Sequence, residues 1–373
     1  MRLSLEAYRM IVNNIGNRAD LASLCIVSKE FRYVAERALY NTIYVRDARQ
    51  TRLLCETLAL QTRLSIIVQA FTIYLDQDNH DDGHSSDGVS STPALPDSYW
   101  DSVAGALRSV NRLHHLSILL SGNVPTSNSW VLQDCRFQLK SFHCDLDWDV
   151  YLVNFLNTQS VLEDLYILDY PTGDRASVPY CPSLAPCALR KLSRLECTYL
   201  EVAASFVPGR PVTYLKTCFS RTKEDDKRAE LSILLSGIKG STSVLHSLDI
   251  ADSEYSEAFS MEVLKSITET LNVTELRYIG TLVLPIDGKK RLQFYGLLMR
   301  LPRIQCVEVD VSEWEPAPIN IPALRALAGE LRLYNPTIFR VVFVYEFERT
   351  VVTAKEGVFR HDITTTDDLW REV

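Results

Sequence analysis

The chain has 373 residues, 46% of them apolar and 23% charged, and carries a net charge of −8. That length admits a large core and more than one domain, and the balance is that of an ordinary folded soluble protein. An acidic chain without a basic stripe is a poor match for nucleic-acid backbone, and no run approaches the 18 apolar residues of a membrane-crossing helix.

Met1 to Tyr8 lacks the basic, apolar, then small-residue layout of a secretory signal. The nine cysteines are scattered and form no CxxC pair. They predict buried thiols in a reducing compartment, cytoplasmic, nuclear or both.

Residues 1–46 read as a set of short helices. Leu5, Tyr8, Ile11, Val12 and Ile15 recur at helical spacing. Ser4 suits the cap of that helix, Glu6 its first turn, and Gly16-Asn17 its end. Asp20 is expected to cap a second helix with Leu21, Leu24 and Cys25 on one face. Ser28 opens a third, with Phe31, Val34, Ala35, Ala38 and Leu39 apolar. So small a module cannot bury all of this surface alone.

The ordered set Leu3-Ser4-Leu5-Glu6, Asp20-Leu21, Leu24 and Val27-Ser28-Lys29-Glu30-Phe31-Arg32 resembles an F-box. With the following Ala35-Glu36-Arg37-Ala38-Leu39-Tyr40, it is similar to the F-box-like segments of fungal proteins. Ser4 stands where that family usually carries proline. The resemblance implies docking to the Skp-type linker of a cullin–RING ubiquitin ligase. By position, it implies Leu3, Leu5, Leu21, Leu24, Val27, Lys29 and Phe31 as the contacts. The alternative is that these residues are simply the core of a helical cap.

Residues 47–373 carry a weak repeat of the form apolar-x-x-apolar-x-apolar. It appears at Val68/Phe71/Ile73, Leu113/Leu116/Ile118, Leu139/Phe142/Cys144, Leu162/Leu165/Ile167, Leu189/Leu192 with Leu195 slipped by one, and Val212/Leu215/Thr217. It continues at Leu245/Leu248/Ile250, Val273/Leu276/Tyr278, Ile304/Val307/Val309 and Ile338/Val341/Phe343. The spacing fits one strand and one return per unit. Three positions after most triplets stands a short polar residue or cysteine able to satisfy backbone groups at a turn: Asp76, Ser121, Asp147, Cys197, Ser220, Ser253, Thr281 and Ser312, with Tyr170 and Glu346 as exceptions.

Trp100 to Val110, Phe259 to Leu271 and Leu324 to Leu331 read as helical returns, the last with Pro322 near its start. The expected fold is therefore α/β. Three N-terminal helices precede an irregular leucine-rich-repeat-like horseshoe, with parallel strands on the concave face and helices on the convex face. An ordinary closed α/β domain is the alternative. Residues 76–98 read as an acidic mobile loop, Arg221–Arg228 as a charged loop, and 353–373 as a tail or cap in which Leu369-Trp370 docks.

No dinucleotide, phosphate-loop, hydrolase, zinc-protease or kinase motif is present. Gly237 to Thr242 has only the flavour of a phosphate loop and reads as a helix end. His80 and His84 lie among aspartates, but Gly83 and the lack of an apolar face argue against a rigid metal site. The expectation is a non-enzyme with no cofactor, metal, nucleic acid or membrane partner. It docks a Skp-type linker and cullin by its N-terminal helices and holds a target protein on its strands. From alternation, the target contacts are His115, Ser117, Ser141, His143, Asp164, Tyr166, Ser247, Asp249, Arg277, Glu308 and Asp310. The second reading keeps the array as an interaction scaffold with no ligase link. A hydrolase of unusual type is a third.

Overall fold

Alternation of apolar and polar residues builds the strands, and the helices between them are apolar on one side only. The computed structural model describes residues 3–76, 95–121, 128–168, 183–252, 254, 256–318, 320–362 and 368–373. His80, His84, Tyr170, Ser253 and most of the acidic 76–98 segment lie outside the described residues. The result is a mixed α/β protein with mostly parallel strands whose order does not close on itself in either of two units, Met1–Leu189 and Arg190–Val373.

The first unit opens with α1 (Leu5–Asn13), α2 (Arg18–Val27) and α3 (Lys29–Tyr40). Ser4 caps α1 and Ser28 caps α3, each accepting a backbone N–H three residues on. Asn17, not Asp20, caps α2; Asp20 lies in the first turn, where its charge suits the helix dipole. The module also runs directly into a strand, β1 (Thr42–Val45), inside the 1–46 segment read as helical. Ile43 is buried there and pairs with Phe71.

After β1 come α4 (Ala48–Leu60), α5 (Thr62–Ser65), β2 (Ala70–Asp76), α6 (Asp97–Ser109), β3 (His115–Ser121), β4 (Ser141–Cys144), α7 (Val150–Thr158) and β5 (Asp164–Ile167). The five strands pair in chain order, all parallel.

The second unit comprises β6 (Arg194–Cys197), α8 (Leu200–Phe206), β7 (Tyr214–Cys218), α9 (Glu224–Lys239), β8 (Ser247–Ala251), α10 (Glu257–Thr270) and β9 (Tyr278–Val283). It continues with α11 (Gly288–Leu298), β10 (Cys306–Asp310), α12 (Ile321–Tyr334), β11 (Arg340–Tyr345), β12 (Glu348–Lys355) and β13 (Val358–Asp362). β6 to β11 are parallel, and β12 and β13 add antiparallel. Glu346 and Phe347, both at positive φ, form the two-residue turn between β11 and β12. The 353–373 tail is thus partly strand. The segment from Arg221 is partly helix, because α9 already begins at Glu224.

A backbone motif repeats within each unit. The carbonyl just before one strand accepts two successive amides at the entry of the next. Asn41 receives Gln69 and Ala70, Gln69 receives His114 and His115, and His114 receives Lys140 and Ser141. In the second unit Thr213, His246, Arg277 and Gln305 do the same in turn.

Register corrects two repeat frames. Leu195, not Leu192, aligns with Leu215, and Ile279, not Leu276, aligns with Leu248 and Val307. Leu192 and Leu276 are buried just before their strands, so an apolar pattern fits either frame. In consequence Cys197 and Thr281 are strand residues rather than turn residues. Ser312 does satisfy a turn, accepting the Glu346 N–H at 3.0 Å.

Candidate functional site

Two kinds of surface stand out: the N-terminal helices and the strand faces turned away from the helical returns. In the helical module, Arg18 in the first turn of α2 donates to the Leu39 carbonyl at the end of α3, so α2 and α3 run antiparallel. The Tyr8 and Phe31 rings meet edge-on at 4.6 Å, which brings α1 to the end of the pair where α2 gives way to α3. Val12, Leu21, Val34 and Ala35 form the buried centre, with Tyr8, Leu24 and Phe31 packed against it.

The seven sequence-predicted docking residues therefore divide. Leu21, Leu24 and Phe31 hold the module together. Leu3, Leu5, Val27 and Lys29 are exposed, and so is Ile26, a neighbour that sequence reasoning passed over and that is 81% accessible. Leu3, Leu5, Ile26 and Val27 are thus apolar side chains that the module itself does not bury.

The strand face of the first unit is open. His115 is exposed, and Ser117, Ser141, His143, Asp164 and Tyr166 are half-buried. Register lines them up in two rows, His115–Ser141–Asp164 and Ser117–His143–Tyr166. Ser141 Oγ lies 3.2 Å from His143 Nε2, and that nitrogen lies 3.6 Å from the Asp164 carboxylate. Burial and the neighbouring His114 and Lys140 lower the pKa of His115, so its ring favours the neutral form. Sequence reasoning missed the aromatic end of this face. Arg46 donates to the Tyr44 hydroxyl at 2.7 Å and sits over the Tyr44 and Tyr74 rings. The available signal was Tyr44 beside the inward Ile43, hidden by assigning that stretch to helices.

The corresponding face of the second unit is covered. Asp249 and Glu308 are each 2% exposed, and Ser247 and Asp310 are also buried. Alternation alone points these four residues to solvent, and the structure corrects that. Arg277 is corrected too: it precedes β9, and Tyr278 takes its place on the face, in register with Ser247 and Cys306. Over β7 and β8 the cover is the turn Leu369–Arg371, and Arg349 of β12 reaches Glu308. Trp370 is buried with Tyr278, Cys306, Val342, Val351 and Leu369. Alternation tells which way a strand side chain points, but not what lies above it.

Beneath that turn runs a charged row. Lys216 lies 3.4 Å from Glu196, and Arg371 reaches the same carboxylate at 2.7 Å. Glu308 accepts from the Tyr278 hydroxyl at 2.7 Å, Thr281 Oγ1 at 2.8 Å and Arg349 at 2.6 Å. Burial, with the Glu308 charge second, pushes the Asp249 carboxyl up to about 7; Lys216 and Arg349 oppose this. Burial also holds the Tyr278 hydroxyl well above its ordinary range.

These charges are largely paired with one another. Of the described cysteines, Cys55, Cys144, Cys197 and Cys306 are buried as expected, whereas Cys187 is exposed. Among the described residues no helix is long and apolar enough to cross a membrane. No family model matches the sequence, and a search of curated proteins returns no match.

Proposed function

We propose that the chain is a substrate-recognition adaptor of an SCF-type cullin–RING ubiquitin ligase. In this reading the F-box-like helices dock a Skp-type linker, and the strands of a leucine-rich-repeat-like array hold a target protein. The chain itself makes and breaks no bonds. It raises the effective concentration of a target lysine near the charged conjugating enzyme. The observation that carries the reading is the exposure of Leu3, Leu5, Ile26 and Val27 on a module whose ordered motif resembles an F-box. The two rows that hold His115, His143, Asp164 and Tyr166 are the natural first target contact.

The test is co-purification of the full chain with a co-expressed Skp-type linker. Val27→Asp and Leu5→Asp alter exposed side chains, so they should abolish association while the module stays folded. Leu24→Asp and Phe31→Asp are poorer tests, because both side chains pack on the module's own centre. No association of the unmodified chain would sink the ligase reading.

A second reading, an interaction scaffold with no ligase link, draws on a different contact. Arg63 of α5 pairs with Glu36 of α3 through both carboxylate oxygens, tying the helical module to the first repeat as a cap would be tied. Linker association of the unmodified chain, lost with Val27→Asp, decides against it.

A further inference from the structure

We propose that the strand face of the second unit is a peptide-recognition site for segments carrying a bulky aromatic residue beside an arginine, and that Leu369-Trp370-Arg371 occupies it in cis. The inference builds on the reading of the strand faces as target-holding surfaces and is independent of linker docking.

The seated turn has the anatomy of a bound ligand. Trp370 is the anchor, enclosed by Tyr278, Cys306, Val342 and Val351 from four different strands. Arg371 stacks over its ring at 4.5 Å and ion-pairs with Glu196. Arg340 holds Glu372 at 3.1 Å, and the Tyr214 hydroxyl donates to the Val373 carbonyl at 2.7 Å. A buried tryptophan flanked by arginine, with polar contacts at its margin, is the composition of an interface hot spot.

The fit leaves polar atoms of the seat unused. Ser247 Oγ, Asp249 Oδ1 and Trp370 Nε1 are buried and have no hydrogen-bond partner among the described residues. Native interiors leave few such atoms, because each one unmade costs the desolvation of its group. Ser247 and Asp249 lie two residues apart on one face of β8 and both can accept hydrogen bonds. The seat thus has acceptor capacity that its present occupant does not use. A segment that keeps the aromatic–arginine pair and adds one more N–H donor, from lysine or a second arginine, uses it. Glu196 already supplies the carboxylate that the arginine of such a segment needs.

The probe is a synthetic fluorescein-labelled peptide of residues 366–373, Thr-Asp-Asp-Leu-Trp-Arg-Glu-Val. Full-length chain carrying Trp370→Ala should bind it about 100-fold more tightly than the unmodified chain, whose own turn competes at high effective concentration. Replacing the tryptophan or the arginine of the probe with alanine should weaken that binding about tenfold or more. A second form removes dependence on how the variant folds. A chain with a protease site at residues 363–366 is folded intact and then cut, and its released end should exchange with the probe. No exchange by the cut chain, or binding indifferent to the probe's tryptophan and arginine, overturns the proposal. None of these arms contains a linker protein, so their failure leaves the docking reading standing.

Discussion

The guanidinium of Arg371 lies 2.7 Å from the carboxylate of Glu196, joining residues 175 positions apart. Both side chains are largely sheltered by the turn they hold down. A double-mutant cycle with Arg371→Ala and Glu196→Ala should show coupling of about 1 kcal/mol in denaturant unfolding. Additive losses would mean that the pair does not fasten the turn.

Asp249 makes the second unit sensitive to pH. Its folded carboxyl titrates at about 7 against an ordinary 3.8. The stabilisation from holding it protonated is therefore full below its unfolded value and is lost as pH rises through about 7. Glu196, Lys216, Tyr278, Glu308 and Arg349 surround it, and burial raises Glu230 and Asp310 of the same unit as well. Asp249→Asn should reduce, without abolishing, the stability lost between pH 5 and pH 8, by on the order of 2 kcal/mol in urea unfolding. Equal losses in the two chains would show that Asp249 does not carry the effect.

Lys227 and Asp252 form an ion pair at 2.6 Å with both side chains almost wholly buried. Lys227 also donates to the Glu254 carbonyl and lies over the Phe259 ring. Lys227→Met alone removes the cation from a buried carboxylate that keeps the Glu254 N–H, and should cost about 3 kcal/mol. Adding Asp252→Leu should recover most of that loss, measured by thermal unfolding. A single substitution as mild as the double would contradict the burial.

Gly280 leaves room for two neighbours. A Cβ placed there would lie 2.9 Å from both the Glu308 Cβ and the Tyr278 hydroxyl oxygen. Gly280→Ala should destabilise the chain by about 1–3 kcal/mol through overpacking. It should also shift Trp370 toward solvent, read as fluorescence quenching in a chain retaining only that tryptophan. An unshifted signal would separate β9 packing from the seating of the turn.

The repeats were legible wherever one frame alone buried its apolar residues. Phe71, Leu116, Phe142, Leu165, Leu215, Leu248, Val307 and Val341 all fall on aligned strand positions. The frames slipped at β6 and β9, where a buried leucine at the strand entry imitates a strand residue. On the helical module, spacing located the helices but could not sort Leu24, which packs inward, from Val27, which does not. A short helix joined by a tight turn presents both on neighbouring sides.

Composition and periodicity determined on their own that this is an α/β chain of strand and helix units behind a small helical module, because both depend on residues near one another in sequence. Only the tertiary structure decided which strand faces are open. Ser117 and Asp249 follow the same alternation, yet one borders solvent and the other is buried. What covers a strand face arrives from far along the chain, and no local pattern at the strand records its arrival.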